Sequence, residues 1–408
     1  MEYKFSDLAN GLKASEIREL LKLTAQPEII SFAGGLPAPE LFPLEELKKV
    51  DKWMIISIIL IAIIDKDGKA AVQYGTTEGY VPLRQHICER MKKSFMVDCG
   101  IDEVFITSGS QQGLSFIPQI FINPGDIMLV ESPTYLGALN AFKLCGPKFV
   151  ELPTDDKGVI PEELEKILKQ YGDKIRLAYV IPEFQNPTGV TWPIERRKAF
   201  MELINQYNFP VIEDDPYGEL RYDGDKVPSL KSMDTKGNII FLGSFSKIMM
   251  PGLRVAWMVA DPAIIDKCVK YKQAADLQTS SFAQRQVSFF LDMFDIDAHI
   301  KDICDLYGKR RTLMLDKMKE YFPAECKFTY PEGGLFTWVE LPEGMDAKEL
   351  MPKVLEKKVA YVPGGAFYPN GGGENHFRMN YSCMPEDKIV EGVKRLGDVL
   401  KEEIAKMK

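Results

Sequence analysis

The chain has 408 residues, 45% hydrophobic and 27% charged, an ordinary globular composition at a length that implies more than one core. Its net charge of −8, with 51 basic residues spread along the chain, argues against nucleic-acid partners. Seven scattered cysteines, an odd number with no CxxC pair, argue against zinc or a disulfide framework and fit a reducing compartment.

The N-terminus is polar and mixed in charge, with no apolar core of a leader peptide, so a cytoplasmic location is expected. Trp53–Ile64 (WMIISIILIAII) is the most apolar stretch. A bilayer span needs about 20 residues, so this shorter run predicts a helix buried all round or facing a partner subunit, not membrane contact. From about residue 100, short apolar runs alternate with helix-like segments. Glu103–Thr107, Ile127–Glu131, Arg176–Ile181, Pro210–Glu213 and Ile239–Leu242 read as buried strands, and Gln111–Ile122 as a helix. That alternation predicts an α/β fold with a mostly parallel sheet covered on both faces. After about residue 280 a long helical stretch, Phe282–Tyr321, precedes a strand at Gly334–Glu340 and a C-terminal helix at Pro385–Ala405. The expected division is a large domain over 46–280 and a small α+β domain from 1–45 with 281–408.

Ligands of open α/β sheets collect at the carboxyl ends of the strands, so the loops leaving the strands are where chemistry is expected. Gly243–Trp257 (GSFSKIMMPGLRVAW) ends a strand and carries Ser244, Ser246, Lys247 and Arg254. A desolvated lysine is a nucleophile for carbonyls, and serines with a forked guanidinium suit a phosphate. A solvated loop lysine is the plain alternative. TSGSQQG, with Ser110 and Gln111, opens a helix and could close backbone N–H groups on an anion, or be an ordinary cap. ESPTY offers Tyr135 as a stacking ring or as packing. PEFQNPTG carries Asn186, and EDDPY carries Asp214 and Tyr217. The carboxylates of EDDPY could also hold a metal or cap a helix, but no further acid or histidine cluster supports a metal. Together the loops present an amine, an acid, an aromatic face and a phosphate cradle, the set that a flat, phosphorylated, aldehyde-bearing pyridine requires.

These motifs in this order resemble the fold-type I pyridoxal-phosphate (PLP) enzymes. They resemble the class I/II aminotransferases, and among them the 2-aminoadipate, kynurenine and aromatic group. The resemblance runs from SFAGGLPAP at Ser31–Pro39 through QYGTTEG at Gln73–Gly79 to FRMNYS at Phe377–Ser382. It implies a seven-stranded, mostly parallel sheet in the large domain. It implies that Lys247 holds the cofactor covalently and shuttles a proton. Asp214 then pairs with the ring nitrogen, Tyr217 and Asn186 bond the phenolic oxygen, and Tyr135 stacks on the ring. Ser110, Gln111, Ser244, Ser246 and Arg254 hold the phosphate. Arg378 takes the substrate α-carboxylate, helped by backbone near Gly35, with Asn186 close by. Tyr74 reaches the cofactor of the other subunit of a homodimer, and Arg18 belongs to a segment that closes over the substrate. Trp53–Ile64 departs from the group by being far more apolar than the helix usual there.

The implied activity moves the amino group of an α-amino acid to a 2-oxo acid, with 2-oxoglutarate as acceptor, by a ping-pong mechanism. A carbon–sulfur lyase or a decarboxylase on the same scaffold is the second reading, because lysine and aspartate serve all three. A regulator fused to a winged helix is the third. It needs a basic domain before SFAGGLPAP, where only 30 residues stand.

Overall fold

Short apolar runs bounded by turn residues bury both faces only inside a covered sheet. The computed structural model describes residues 28–42 and 63–407 and places the runs there. After β1 (Ile30–Ser31), the main sheet is built from β2 (Val104–Thr107), β3 (Ile127–Ser132), β4 (Lys148–Asp155), β5 (Gly158–Val159), β6 (Ile175–Val180), β7 (Val211–Asp215), β8 (Ile239–Ser244) and β9 (Ala256–Val259). Their order across the sheet is β2, β9, β8, β7, β6, β3, β4, β5. Seven strands form the expected sheet. The eighth, β5, is a two-residue antiparallel extension of β4.

β3, β4, β6, β7 and β8 are mutually parallel. β9 runs against both β8 and β2, so β2 points the same way as β8. The carboxyl ends of β2, β3, β6, β7 and β8 therefore share one edge. The lysine loop, residues 245–255, joins β8 to the antiparallel β9. β4 and β9 were not among the expected strands. β4 lies near the sheet edge, half exposed and without a continuous apolar run. β9 has only four residues and directly follows the lysine loop.

Six helices pack on the two faces: α1 (Val81–Phe95), α2 (Ser110–Phe121), α3 (Leu136–Phe142), α4 (Pro161–Tyr171), α5 (Ile194–Ile204) and α6 (Pro262–Ala275). Alternate strand residues serve alternate cores, the two-residue period of a pleated strand. Met128, Val130, Leu177 and Tyr179 join one core with Leu114 and Leu139. Leu129, Ala178 and Val180 join the other with Leu164 and Phe200.

The stretch Phe282–Tyr321, expected as one helix, is two: α7 (Ser281–Met293) and α8 (Ile296–Tyr321). Asp295 breaks it, because its carboxylate accepts from the N–H groups of Asp297 and Ala298 and starts α8 anew. The remainder is β10 (Lys327–Phe328), β11 (Phe336–Glu340), α9 (Ala347–Glu356), β12 (Val359–Ala360), β13 (Val362–Pro363), β14 (His376–Asn380) and α10 (Glu386–Ala405). β10, β11, β14 and β13 form a four-stranded antiparallel sheet in that order. β1 pairs with β12, and Ile30 and Phe32 share a core with Met314, Val359 and Leu396. Arg18, and all of Trp53–Ile64 except its last two residues, lie outside the described residues. Among the described residues no helix is long and apolar enough to cross a membrane.

Candidate active site

A cavity of about 560 Å³ opens at the carboxyl edge of the sheet, within the size range of small-molecule sites. Gly35, Ser110, Gln111, Tyr135, Asn186, Asp214, Tyr217, Ser244, Ser246, Lys247, Arg254 and Arg378 all line it. Twelve residues from seven separate stretches of sequence thus meet at one place. Tyr74 does not: in the single chain it is 76% exposed and stands on a different surface.

Strand alternation sorts the three acids that end β7. Glu213 and Asp215 point one way, and Asp214, between them, points to the cavity. Glu213 accepts from the N–H groups of Leu230 and Lys231 and from the Ser229 hydroxyl. Asp215 accepts from Gly218 N–H at 2.5 Å. These two acids secure turns, and no acid or histidine cluster among the described residues could hold a metal. Asp214 is buried, and the Tyr179 hydroxyl donates to its Oδ2 at 2.8 Å. Its Oδ1 is buried without a hydrogen-bond partner. Burial pushes the Asp214 carboxyl up to about 7, with the Tyr179 bond opposing. A cationic ring N–H would meet the orphaned oxygen and restore the ionised form.

Lys247 follows β8, and its Nζ donates to the Gly35 carbonyl at 2.7 Å. Burial, with the positive charges of Arg378 and Arg254 acting in the same direction, lowers its ammonium to about 8. A good share of the side chain is therefore the neutral, nucleophilic amine near pH 8.

Arg254 adopts the left-handed backbone conformation at φ 53°. Its guanidinium lies against Gly109, where an added Cβ would fall 2.1 Å from Nη2. Gly109, at φ +79°, directly precedes α2. The guanidinium and the open N–H groups of the α2 N-terminus thus face one spot, an arrangement suited to a phosphate. Gln111 turns one N–H of its side-chain amide to the Gly137 carbonyl at 2.8 Å. The Ser246 N–H donates to the Ser244 hydroxyl at 3.0 Å.

Arg378, on β14, is buried and uses two of its N–H groups. It donates to Asn186 Oδ1 at 2.8 Å and to the Ala33 carbonyl at 2.9 Å. Its Nε is buried without a partner. Phe336 and Phe367 face the guanidinium at 4.0 and 5.2 Å from their ring centres. Both acceptors are neutral, and burial lowers the guanidinium to about 10. A buried cation held by neutral groups is suited to an incoming anion. Near Gly35, the Ala33 carbonyl accepts from Arg378, and the Gly35 carbonyl accepts from Lys247. Burial raises the Tyr217 and Tyr135 hydroxyls, so both stay protonated donors.

Tyr179, Gly109, Gly137, Phe336 and Phe367 were not singled out from the sequence. Tyr179 sat within the apolar run RLAYVI, and only its place on the cavity-facing side of β6 separates it from a core tyrosine. Gly137 is needed because a Cβ there would meet the Tyr135 ring at 2.4 Å. Gly109 was visible within TSGSQQG, but its clash with Arg254 spans a long sequence separation.

The family model for aminotransferase class I and II matches residues 51–396. The aromatic-amino-acid aminotransferase 1 of Thermococcus litoralis is 46% identical, over 99% of this chain and 96% of that protein. The crystal structure of Pyrococcus horikoshii kynurenine aminotransferase, in complex with PMP, superposes with a TM-score of 0.91 at 46% identity, covering 98% of this chain and 97% of that one. The α-aminoadipate aminotransferase of Thermus thermophilus, complexed with N-(5'-phosphopyridoxyl)-L-leucine, gives a TM-score of 0.88 at 40% identity, with 98% of each chain covered.

Proposed function

The chain belongs to the class I and II aminotransferases, PLP enzymes of fold type I, and we propose that it transfers amino groups from aromatic and 2-aminoadipate-type donors to 2-oxoglutarate. The observation that carries this reading is Arg378, a buried guanidinium bonded only to neutral groups in the cavity that holds Lys247. An α-carboxylate supplies the missing charge and can take two parallel N–H bonds. The lyase and decarboxylase alternatives share the lysine and aspartate, but the relatives above are aminotransferases.

PLP supplies, when bound, a reactive aldehyde and an electron-withdrawing ring. Asp214 holds the positive ring nitrogen through its open Oδ1, and Tyr179 holds Asp214 in place. Arg254, Ser110, the Gln111 N–H, Ser244 and Ser246 hold the phosphate. Tyr135 would face the ring, and Tyr217 and Asn186 would bond its phenolic oxygen. Lys247 would hold the aldehyde and, as a free amine, would take and return the proton of the substrate Cα. Arg378 fixes the substrate so that this proton faces Lys247. The enzyme would keep the amino group after the first product leaves and before the second substrate binds, which would make the cycle ping-pong.

The neighbourhood of Phe336, Leu136 and Ile181 is apolar and suits large donors. Residues 46–280 are read as the cofactor domain, and the enzyme as a cytoplasmic homodimer in which Tyr74 reaches the partner's cofactor. The test is half-transamination. Each amino acid is added alone to the PLP enzyme, and the cofactor absorbance is followed as it converts to the amine form. Aromatic donors, 2-aminoadipate and glutamate should all convert it. Conversion by none of them overturns the reading.

A further inference from the structure

Two of the seven cysteines are brought together far from the cofactor motifs. Beyond α1 the chain reverses at Met96, which takes the left-handed conformation. It then runs back along the helix toward β2. Three contacts set the register of that return. Val97 N–H donates to the Met91 carbonyl at 3.1 Å. Arg84 donates to the carbonyls of Ile101 and Val104, at 2.5 and 2.9 Å. Arg84, Cys88 and Met91 lie at i, i+4 and i+7, on one stripe of the helix. Cys99 lies between Val97 and Ile101 on the returning strand, so it falls opposite Cys88. The two thiols are near enough to shift each other's ionisation, and both are partly exposed.

We propose that Cys88 and Cys99 form a dithiol site that closes to an intramolecular disulfide by exchange with a small disulfide such as oxidised glutathione. The neighbouring Cys99 holds the Cys88 thiol below its ordinary value, burial opposes this, and Arg84 adds to the lowering. Cys88 is therefore the attacking thiolate. Its sulfur bonds one sulfur of the small disulfide and expels the other half as a thiolate, which takes up a proton. The Cys99 thiol is held high by the neighbouring Cys88 and by burial. The first part of that restraint ends once Cys88 is blocked. Cys99 then loses its proton, attacks the Cys88 sulfur and expels the second half. Two protein thiols are oxidised and one small disulfide is reduced to two thiols. The new bond ties the middle of α1 to the approach to β2, the strand that leads to Ser110. In a reducing compartment the bond is reversible.

The PLP-loaded enzyme, freed of reductant, is incubated with excess oxidised glutathione and then alkylated. Thiols are counted after denaturation, and tryptic peptides are mapped by mass. Arg90, Lys92 and Lys93 separate the two cysteines, so trypsin releases them on different peptides unless they are bonded. The expected result is loss of two of the seven thiols, one linked pair containing Cys88 and Cys99, and full recovery with dithiothreitol. Cys88→Ser and Cys99→Ser should each abolish the linked pair while leaving transamination within about twofold. Retention of all seven thiols, a link between other cysteines, or glutathione left on Cys88 without closure overturns the proposal.

Discussion

Asp214 keeps one carboxylate oxygen out of water with nothing to bond, and that cost is the clearest trace of the cofactor in the protein alone. Its folded value, about 7, lies above its ordinary 3.8. Between about pH 4 and 7 the folded chain therefore holds a proton that the unfolded chain has released, and stability from this group falls as pH rises through that window. Asp214→Asn should remove that slope. Without cofactor, its melting temperature relative to the parent should be higher at pH 8 than at pH 5. Its turnover should fall by roughly 10²-fold or more, the scale of losing a group that stabilises developing charge. Equal pH slopes in the two proteins would contradict the burial argument. Lys247→Ala should lower turnover by at least roughly 10²–10⁴-fold and remove the absorption of the covalently held cofactor, while PLP still binds noncovalently. Retained steady-state transamination would show that another group anchors PLP. Arg378→Lys keeps the charge but loses the fork. A lost charge-assisted hydrogen bond is worth about 1.5–3 kcal/mol, so KM for amino donors should rise roughly 10–100-fold in steady-state kinetics.

At the scale of elements, the phosphate cradle is a meeting of two conformations. Arg254 turns left-handed so that its guanidinium can reach α2, and Gly109 gives up a side chain so that it can arrive. Gly109→Ala places a methyl on Nη2 and an L side chain at a positive φ, strain of about 1–3 kcal/mol. PLP affinity of the cofactor-free protein should fall about tenfold or more by fluorescence titration, with the α2 helix retained by circular dichroism. Unchanged affinity would remove Arg254 from the phosphate site. The strands that carry these loops were legible where they are buried on both faces, as in IMLVE and IIFL. β4 was not, because a strand near the sheet edge lacks the apolar run. The division of Phe282–Tyr321 was missed because a capping aspartate also reads as an exposed helix residue.

At the scale of the whole molecule, Tyr74 is a large exposed side chain with no part in its own cavity, which supports a homodimer with shared sites. Sedimentation should give a dimer. Tyr74→Ala should weaken PLP binding roughly 10–100-fold, the worth of a hydrogen bond to phosphate. Mixed with Lys247→Ala chains under subunit exchange, it should regain tight PLP binding and activity at limiting PLP. Absence of recovery, or a fully active monomer, would place Tyr74 elsewhere. By itself the sequence determined the α/β class, the lysine, the aspartate, the two arginines and the loops that bear them. Each is a local matter: a buried strand must be apolar along its length, and a loop that binds phosphate must carry small residues and a cation. Only the tertiary structure decided which backbone carbonyls meet Lys247 and Arg378, and that Tyr179 supports Asp214. It also decided that Cys88 and Cys99 are neighbours. These depend on strand register and on chain segments far apart in sequence, and no local pattern of residues encodes the distance between them.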